Sequence, residues 1–262
     1  MLPMNKNIWI TGASSGIGAA LAVELSAQGH HLLLSSRRGE ELKKVRESCA
    51  YPERIQILPM DLEEPESHQA ISDQAWALMS GIDVVIHNAG ISQRSLAHET
   101  DWRVDERLMR INYLGTVSLT KALLGRMLDR GRGHFVVVTS LTGVIPSPYR
   151  SGYSASKHAL HGFFDSLRAE LEDQGIAVTI IAPGFVQTQV SVNALTGDGT
   201  SLGVMDDAQA RGISAQRCAA EIVQAMHRQK REVYVGRESY AAYVKRYLPG
   251  LFARLIKKAK VR

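Results

Sequence analysis

Short apolar runs rich in β-branched residues alternate along the chain with longer segments whose apolar residues recur at helical spacing. Seven runs stand out, at residues 8–11, 31–35, 55–60, 84–87, 135–140, 178–182 and 233–235. The stripes between them include Ile17, Leu21 and Leu25 after the first run, and Leu160, Phe163, Phe164 and Leu167 after the fifth. Continuous apolar runs belong to strands covered on both faces, and strand–helix alternation belongs to repeated βαβ units. The pattern predicts a doubly wound α/β fold, with a seven-stranded, mostly parallel sheet and helices on both faces.

No repeat, low-complexity tract or linker divides the 262 residues, so they are read as one domain. The longest stretch without a period is 184–207, interrupted by Asn193, Gly197, Asp198, Gly199 and Gly203. A loop of that length in a compact domain is usually functional, and it is expected to cover the substrate. Cys49 and Cys218 stand far apart in no ligand or pairing pattern, and no signal-type segment precedes the first run. A cytoplasmic protein is expected. No apolar run approaches the roughly 20 residues needed to span a bilayer.

The formal charge of +5 changes the picture only locally. No acidic residue follows Glu238, and the stretch 245–262 carries seven basic ones; without them 24 Lys+Arg face 26 Asp+Glu. A near-neutral body argues against a nucleic-acid partner. In the tail, 240–262, Leu251, Phe252, Leu255, Ile256 and Ala259 form a helical stripe, with Arg254, Lys257, Lys258 and Lys260 largely outside it. Such a basic amphipathic helix either docks on the protein's own body or a partner subunit, near the substrate entrance, or makes peripheral contact with a membrane surface.

The chemistry begins at TGASSGIG (11–18), between the first strand and the first helix. Glycines permit a tight turn and close backbone approach, and a helix N-terminus favours phosphate. Gly12, Ser14, Ser15, Gly16, Ile17 and Gly18 are therefore candidate pyrophosphate-binding residues of a Rossmann-type fold. The second strand ends Leu34-Ser35-Ser36-Arg37-Arg38. An acidic residue there would hold the ribose hydroxyls of NAD, whereas arginine accommodates the 2′-phosphate of NADP. Ser36, Arg37 and Arg38 thus point to NADP(H).

Tyr153 and Lys157 stand four residues apart in YSASK, one turn apart on a helix face. A neighbouring ammonium is expected to lower the phenol's pKa toward the range of a general acid/base. Ser140 ends the fifth strand, where a parallel sheet opens into its ligand crevice, and its hydroxyl can share a carbonyl oxygen with Tyr153. The nine histidines form no metal-ligand set; His158 and His161 share a helix without a third ligand.

With these residues in view, the chain resembles a short-chain dehydrogenase/reductase of the compact type over nearly its whole length. The resemblance is carried by TGASSGIG, Asp61-Leu62, Asn88-Ala89-Gly90, Asn112, Ser140, YSASK and Pro183-Gly184 with Thr188. It implies that Asp61 and Leu62 contact adenine, that Asn88, Ala89 and Gly90 flank the cofactor, and that Pro183, Gly184, Val186 and Thr188 embrace the nicotinamide half. It implies that Lys157 also holds the nicotinamide ribose and that Asn112 holds a water linking Lys157 to solvent. Catalysis would be metal-free hydride transfer between a carbonyl and an alcohol, in a homodimer or homotetramer.

Extended epimerase-type members need a larger C-terminal domain, and enoyl reductases place six residues between Tyr and Lys where this chain has three. A finer similarity, in NAGISQRSL, INYLGTVSLTK, GYSASKHALHGFFDSLRAEL and SVNALTGDG, is to the dehydrogenase/reductase member 7-like branch. Its members often carry an N-terminal anchor, which this chain is expected to lack, and act on steroids, retinoids and lipid ketones where assigned. Two other readings use the same fold: a sensor of NADP(H) without turnover, and a membrane-surface interaction protein acting through its basic tail.

Overall fold

The computed structural model describes residues 5–258. The chain begins β1 (Asn7–Thr11), α1 (Gly16–Ala27), β2 (His31–Ser35), α2 (Gly39–Glu47), β3 (Ile55–Ile57), α3 (His68–Leu78) and β4 (Val84–His87). It continues with α4 (Trp102–Met109), α5 (Thr116–Asp129), β5 (Gly133–Val138), α6 (Ser151–Leu171) and β6 (Ile176–Pro183). The remainder is β7 (Val186–Gln187), α7 (Asp207–Ala210), β8 (Ile213–Ser214), α8 (Ala215–His227), β9 (Glu232–Val235), α9 (Tyr240–Tyr247) and α10 (Pro249–Ile256).

Seven strands form one sheet in the order β3-β2-β1-β4-β5-β6-β9, and every pairing is parallel. The predicted doubly wound Rossmann-type architecture is therefore present. Its strand order reverses between β1 and β4, so a crevice opens there at the strands' carboxyl ends. On one face Leu21 and Leu25 of α1 pack with Ile222 and Met226 of α8; on the other, Leu123 and Met127 of α5 pack with Leu160 and Phe164 of α6. Burial on both faces explains why the strands read as unbroken apolar runs.

Boundaries move for identifiable reasons. β3 stops three residues short of the predicted Met60, because Pro59 has no N–H to donate, though Leu58 and Met60 still bond to β2 and the residue after it. β5 ends at Val138, and Ser140 instead caps a short 3₁₀ turn, Leu141–Gly143, by accepting the Thr142 N–H at 3.1 Å. A π-helical segment, Arg110–Gly115, joins α4 to α5 in a continuous rod. The second, two-stranded sheet of β7 and β8 was not foreseen.

The tail divides its predicted stripe. Phe252 is buried with Ile145 and Ala242, and Ile256 packs against them, whereas Leu251 and Leu255 face solvent. Ala259, Lys260 and Arg262 lie outside the described residues. Among the described residues no helix is long and apolar enough to cross a membrane.

Candidate active site

A cleft of about 720 Å³ runs along the carboxyl ends of the strands, from Ser36 past Tyr153 to Ile256. At one end, Gly12 and Gly16 adopt φ of +66° and +56°, the left-handed region that glycine tolerates. A Cβ on Gly12 would stand 2.7 Å from Ala89 Cα, so the turn needs a bare backbone to pass the end of β4. The Asn88 amide fastens that contact, donating to the carbonyls of Thr11 and Gly12 at 3.1 and 3.2 Å. No side chain caps α1. Its first N–H groups are thus left to a ligand or solvent.

The two arginines after β2 diverge. Arg38 reaches back over the turn, its Nη2 donating to the hydroxyls of Ser14 and Ser15 at 2.9 Å each. Its backbone N–H bonds to Ser36 Oγ at 3.1 Å. Arg37 leans the other way, 3.9 Å from a carboxylate oxygen of Asp61. Bare glycines, an uncapped helix and a guanidinium bonded to two serine hydroxyls fit the phosphates of a dinucleotide.

Midway along the cleft, α6 carries Tyr153 and Lys157 beside Ser140. Burial pushes the Tyr153 phenol up from its ordinary value, opposed by a hydrogen bond with Ser140 and by the charges of Arg94 and Arg150. This corrects the expectation that Lys157 pulls the phenol down. The Lys157 ammonium lies 5.9 Å from the ring centroid and donates to the Val138 carbonyl at 3.1 Å. Burial pushes Lys157 itself down to about 8.

Of the residues predicted for the site, all but Gly18 and Asn112 line the cleft. Gly18 lies behind the turn, where a Cβ would strike the Gly12 carbonyl and come within 2.6 Å of the Asn88 amide. Asn112 sits in the π-helical segment, fully buried, with Oδ1 accepting the Ile91 N–H at 2.8 Å. Its Nδ2 donates to the Ile91 carbonyl and to Ser156 Oγ, both at 2.9 Å. The side chain thus clasps the chain after β4 to the turn that carries Tyr153.

The sequence profile of the short chain dehydrogenase family matches residues 6–198. The chain belongs to the short-chain dehydrogenase/reductase family. Mouse dehydrogenase/reductase SDR family member 7B is 39% identical to it over 259 residues, covering 96% of this chain and 80% of the mouse protein. A short-chain dehydrogenase from Streptomyces avermitilis superposes with TM-score 0.81 at 28% identity, over 97% of this chain and 96% of that one. An alcohol dehydrogenase from Thermococcus sibiricus, solved with 5-hydroxy-NADP, gives TM-score 0.74 at 25% identity, over 88% and 96% of the two chains.

This short-chain dehydrogenase also holds groups at the cleft that the sequence reading missed. Arg94, Arg150 and Asp206 are 2%, 3% and 4% exposed. Asp206 Oδ2 accepts from Arg94 Nε at 2.6 Å and from Arg150 Nη2 at 3.3 Å, pinning the end of loop 184–207 beside Tyr153. Glu238 reaches over Gly184, where a Cβ would meet its carboxylate at 2.6 Å. The available signal was a charged residue three positions before Tyr153 and another inside NAGISQRSL, and neither has a period that marks burial.

Proposed function

We propose that this chain is an NADP(H)-dependent reductase of ketones or aldehydes, interconverting carbonyl and alcohol with Tyr153 as general acid/base. The supporting observation is that Ser140, Tyr153 and Lys157 meet in the same cleft as the glycine turn and Arg38. NADPH, when bound, supplies hydride to the carbonyl carbon. The hydroxyls of Ser140 and Tyr153 orient the carbonyl oxygen, and Tyr153 gives its proton to that oxygen as negative charge develops there. Burial favours the neutral phenol, so the resting tyrosine carries the proton that carbonyl reduction requires. The charges of Arg94 and Arg150 favour the phenolate left behind, and Lys157, still an ammonium below pH of about 8 and 5.9 Å from the ring centroid, is a cation able to return a proton.

The substrate end is walled by Leu141, Ile145, Leu195, Ala241 and Ile256, which suits a hydrophobic carbonyl of steroid, retinoid or lipid type. We assign the protein to the cytoplasm, in keeping with two free, buried cysteines. A homodimer or homotetramer is proposed on the apolar side chains between α4 and α6 that face outward. Leu108, Leu119 and Phe164 are buried within the chain, which leaves half-exposed Leu114 and partly exposed Phe163 to face a neighbour. Peripheral membrane contact is proposed through the outward Leu251 and Leu255 with Arg254, Lys257 and Lys258.

The test is NADPH consumption across steroids, acyl ketones, quinones and sugars, repeated with Tyr153→Phe. Loss of a positioned acid typically lowers turnover by about 10²–10⁴-fold with NADPH binding preserved. More than about a tenth of wild-type turnover in that variant would overturn the assignment.

A further inference from the structure

Arg150 precedes α6 without a side-chain cap to it, and the first intrahelical bond runs from Ser154 N to the Arg150 carbonyl at 2.7 Å. The N–H groups of Ser151, Gly152 and Tyr153 precede that bond and need acceptors from elsewhere. Gln93, 0% exposed and 60 residues upstream of Tyr153, supplies one. Its Oε1 accepts the Gly152 N–H at 2.9 Å and the Tyr153 N–H at 3.2 Å.

The orientation of the amide is fixed by its surroundings. Two backbone N–H groups can only donate, so the oxygen must face them. The Nε2 faces Thr100 Oγ1 at 2.9 Å and Ser95 Oγ at 3.1 Å. Thr100 Oγ1 spends its proton on the Leu96 carbonyl at 2.8 Å, which leaves it an acceptor for Gln93. Ser95 Oγ lies 2.7 Å from Thr100 Oγ1 and completes the set.

The backbone around Gln93 carries the same connection outward. Leu195, in loop 184–207, donates its N–H to the Ser92 carbonyl and accepts from Arg94 N, both at 2.8 Å. On the other side Ser95 N bonds to the Tyr149 carbonyl at 3.1 Å. One four-residue segment therefore bonds to the substrate loop, to the approach to α6, and, through a single side chain, to the backbone of Tyr153.

We propose that Gln93 is a positioning residue for Tyr153, capping the first turn of α6 through two N–H groups and tying that turn to the substrate loop. This rests on the function proposed above, in which Tyr153 delivers the proton. Gln93 touches neither substrate nor cofactor in this role. It sets where the phenol stands relative to Ser140.

The experiment compares Gln93→Met, which keeps the length and removes the acceptor, with Gln93→Glu, which keeps an acceptor oxygen. Both are measured as the full chain on a carbonyl that the wild type turns over, with Tyr153→Phe alongside. A displacement of about 1 Å at a reacting group can cost about 10²-fold. Gln93→Met should lower kcat by about 10- to 100-fold, with the dissociation constant for NADPH changed by less than about twofold. Gln93→Glu, held neutral by complete burial so that one oxygen accepts the two N–H groups while its hydroxyl donates to Thr100, should recover kcat to within about threefold of wild type, a rescue that a space-filling role alone would not give. Wild-type kcat in Gln93→Met, or equal losses in both variants at unchanged NADPH binding, would overturn the proposal. Should Gln93→Met fail to fold, Gln93→Ala takes its place: loss of kcat alone supports the role, and parallel loss of kcat and NADPH binding overturns it. Activity surviving in Tyr153→Phe faults the proposed function itself. An inactive Tyr153→Phe beside a fully active Gln93→Met faults Gln93 alone.

Discussion

Replacing Arg38 with alanine tests the cofactor assignment most directly, because the two arginines after β2 point in different directions. Arg38 donates to Ser14 and Ser15 and bonds through its backbone to Ser36, so a 2′-phosphate seated among these hydroxyls would meet its guanidinium. A charge-assisted hydrogen bond of this kind contributes about 1.5–3 kcal/mol, equivalent to roughly 10- to 150-fold in a dissociation constant. Arg37, more than half exposed and 3.9 Å from Asp61, stands in higher dielectric and is partly screened, so its removal should cost less than about fivefold. Fluorescence titration of Arg38→Ala with NADPH should show the full loss. Titration with NADH, which has no 2′-phosphate, should change by less than about twofold. Equal weakening for both cofactors would mean that Arg38 only braces the glycine turn, and a larger loss in Arg37→Ala than in Arg38→Ala would refute the division of labour.

Reductive kcat should hold through neutrality and fall as pH rises through about 8, since Lys157 loses its ammonium there while burial keeps Tyr153 protonated to higher pH. A profile flat to pH of about 10, the ordinary tyrosine value, would exclude Lys157 as the titrating group. Asp206→Asn removes the carboxylate shared by two buried guanidiniums; breaking such a pair costs about 3 kcal/mol or more, or roughly 6–12 °C in Tm by calorimetry. A Tm within about 2 °C of wild type would show that the cluster contributes little. The full chain should co-sediment with anionic but not neutral vesicles at low salt, and Leu251→Asp with Leu255→Asp should release it with NADPH affinity intact. Retention of the wild type in the supernatant would leave the tail only its docking role against Ile145.

The sheet and the glycine turn with its neighbouring YSASK helix were legible because their signals are local in sequence. Strands buried on two faces announce themselves as apolar runs, and TGASSGIG and YSASK place their groups within one turn of chain. What escaped was long-range or directional. Asp206 joins Arg94 and Arg150 across 112 and 56 residues, and no periodicity reports such a meeting. Arg37 and Arg38 are chemically alike in sequence, yet only the path of the backbone decides which one faces the turn. The split of the α10 stripe, with Phe252 inward and Leu251 outward, depends on a packing partner, Ile145, that lies more than a hundred residues away. The shift of Tyr153 was misjudged because helical spacing to Lys157 says nothing about desolvation, which outweighs the nearby charges here.

The walls of the cleft come from widely separated times in the chain's synthesis. The groups from Gly12 to Gly90 that line one end emerge first, but α1, which follows the glycine turn, packs against α8, made only from residue 215 onward. Ala241 and Ile256, which close the opposite end, emerge last. The glycine turn therefore gains its full packing only after most of the chain is made. Changes confined to its final two helices, which pack in a small cluster of their own, can alter what enters the cleft without touching the core between α1 and α8.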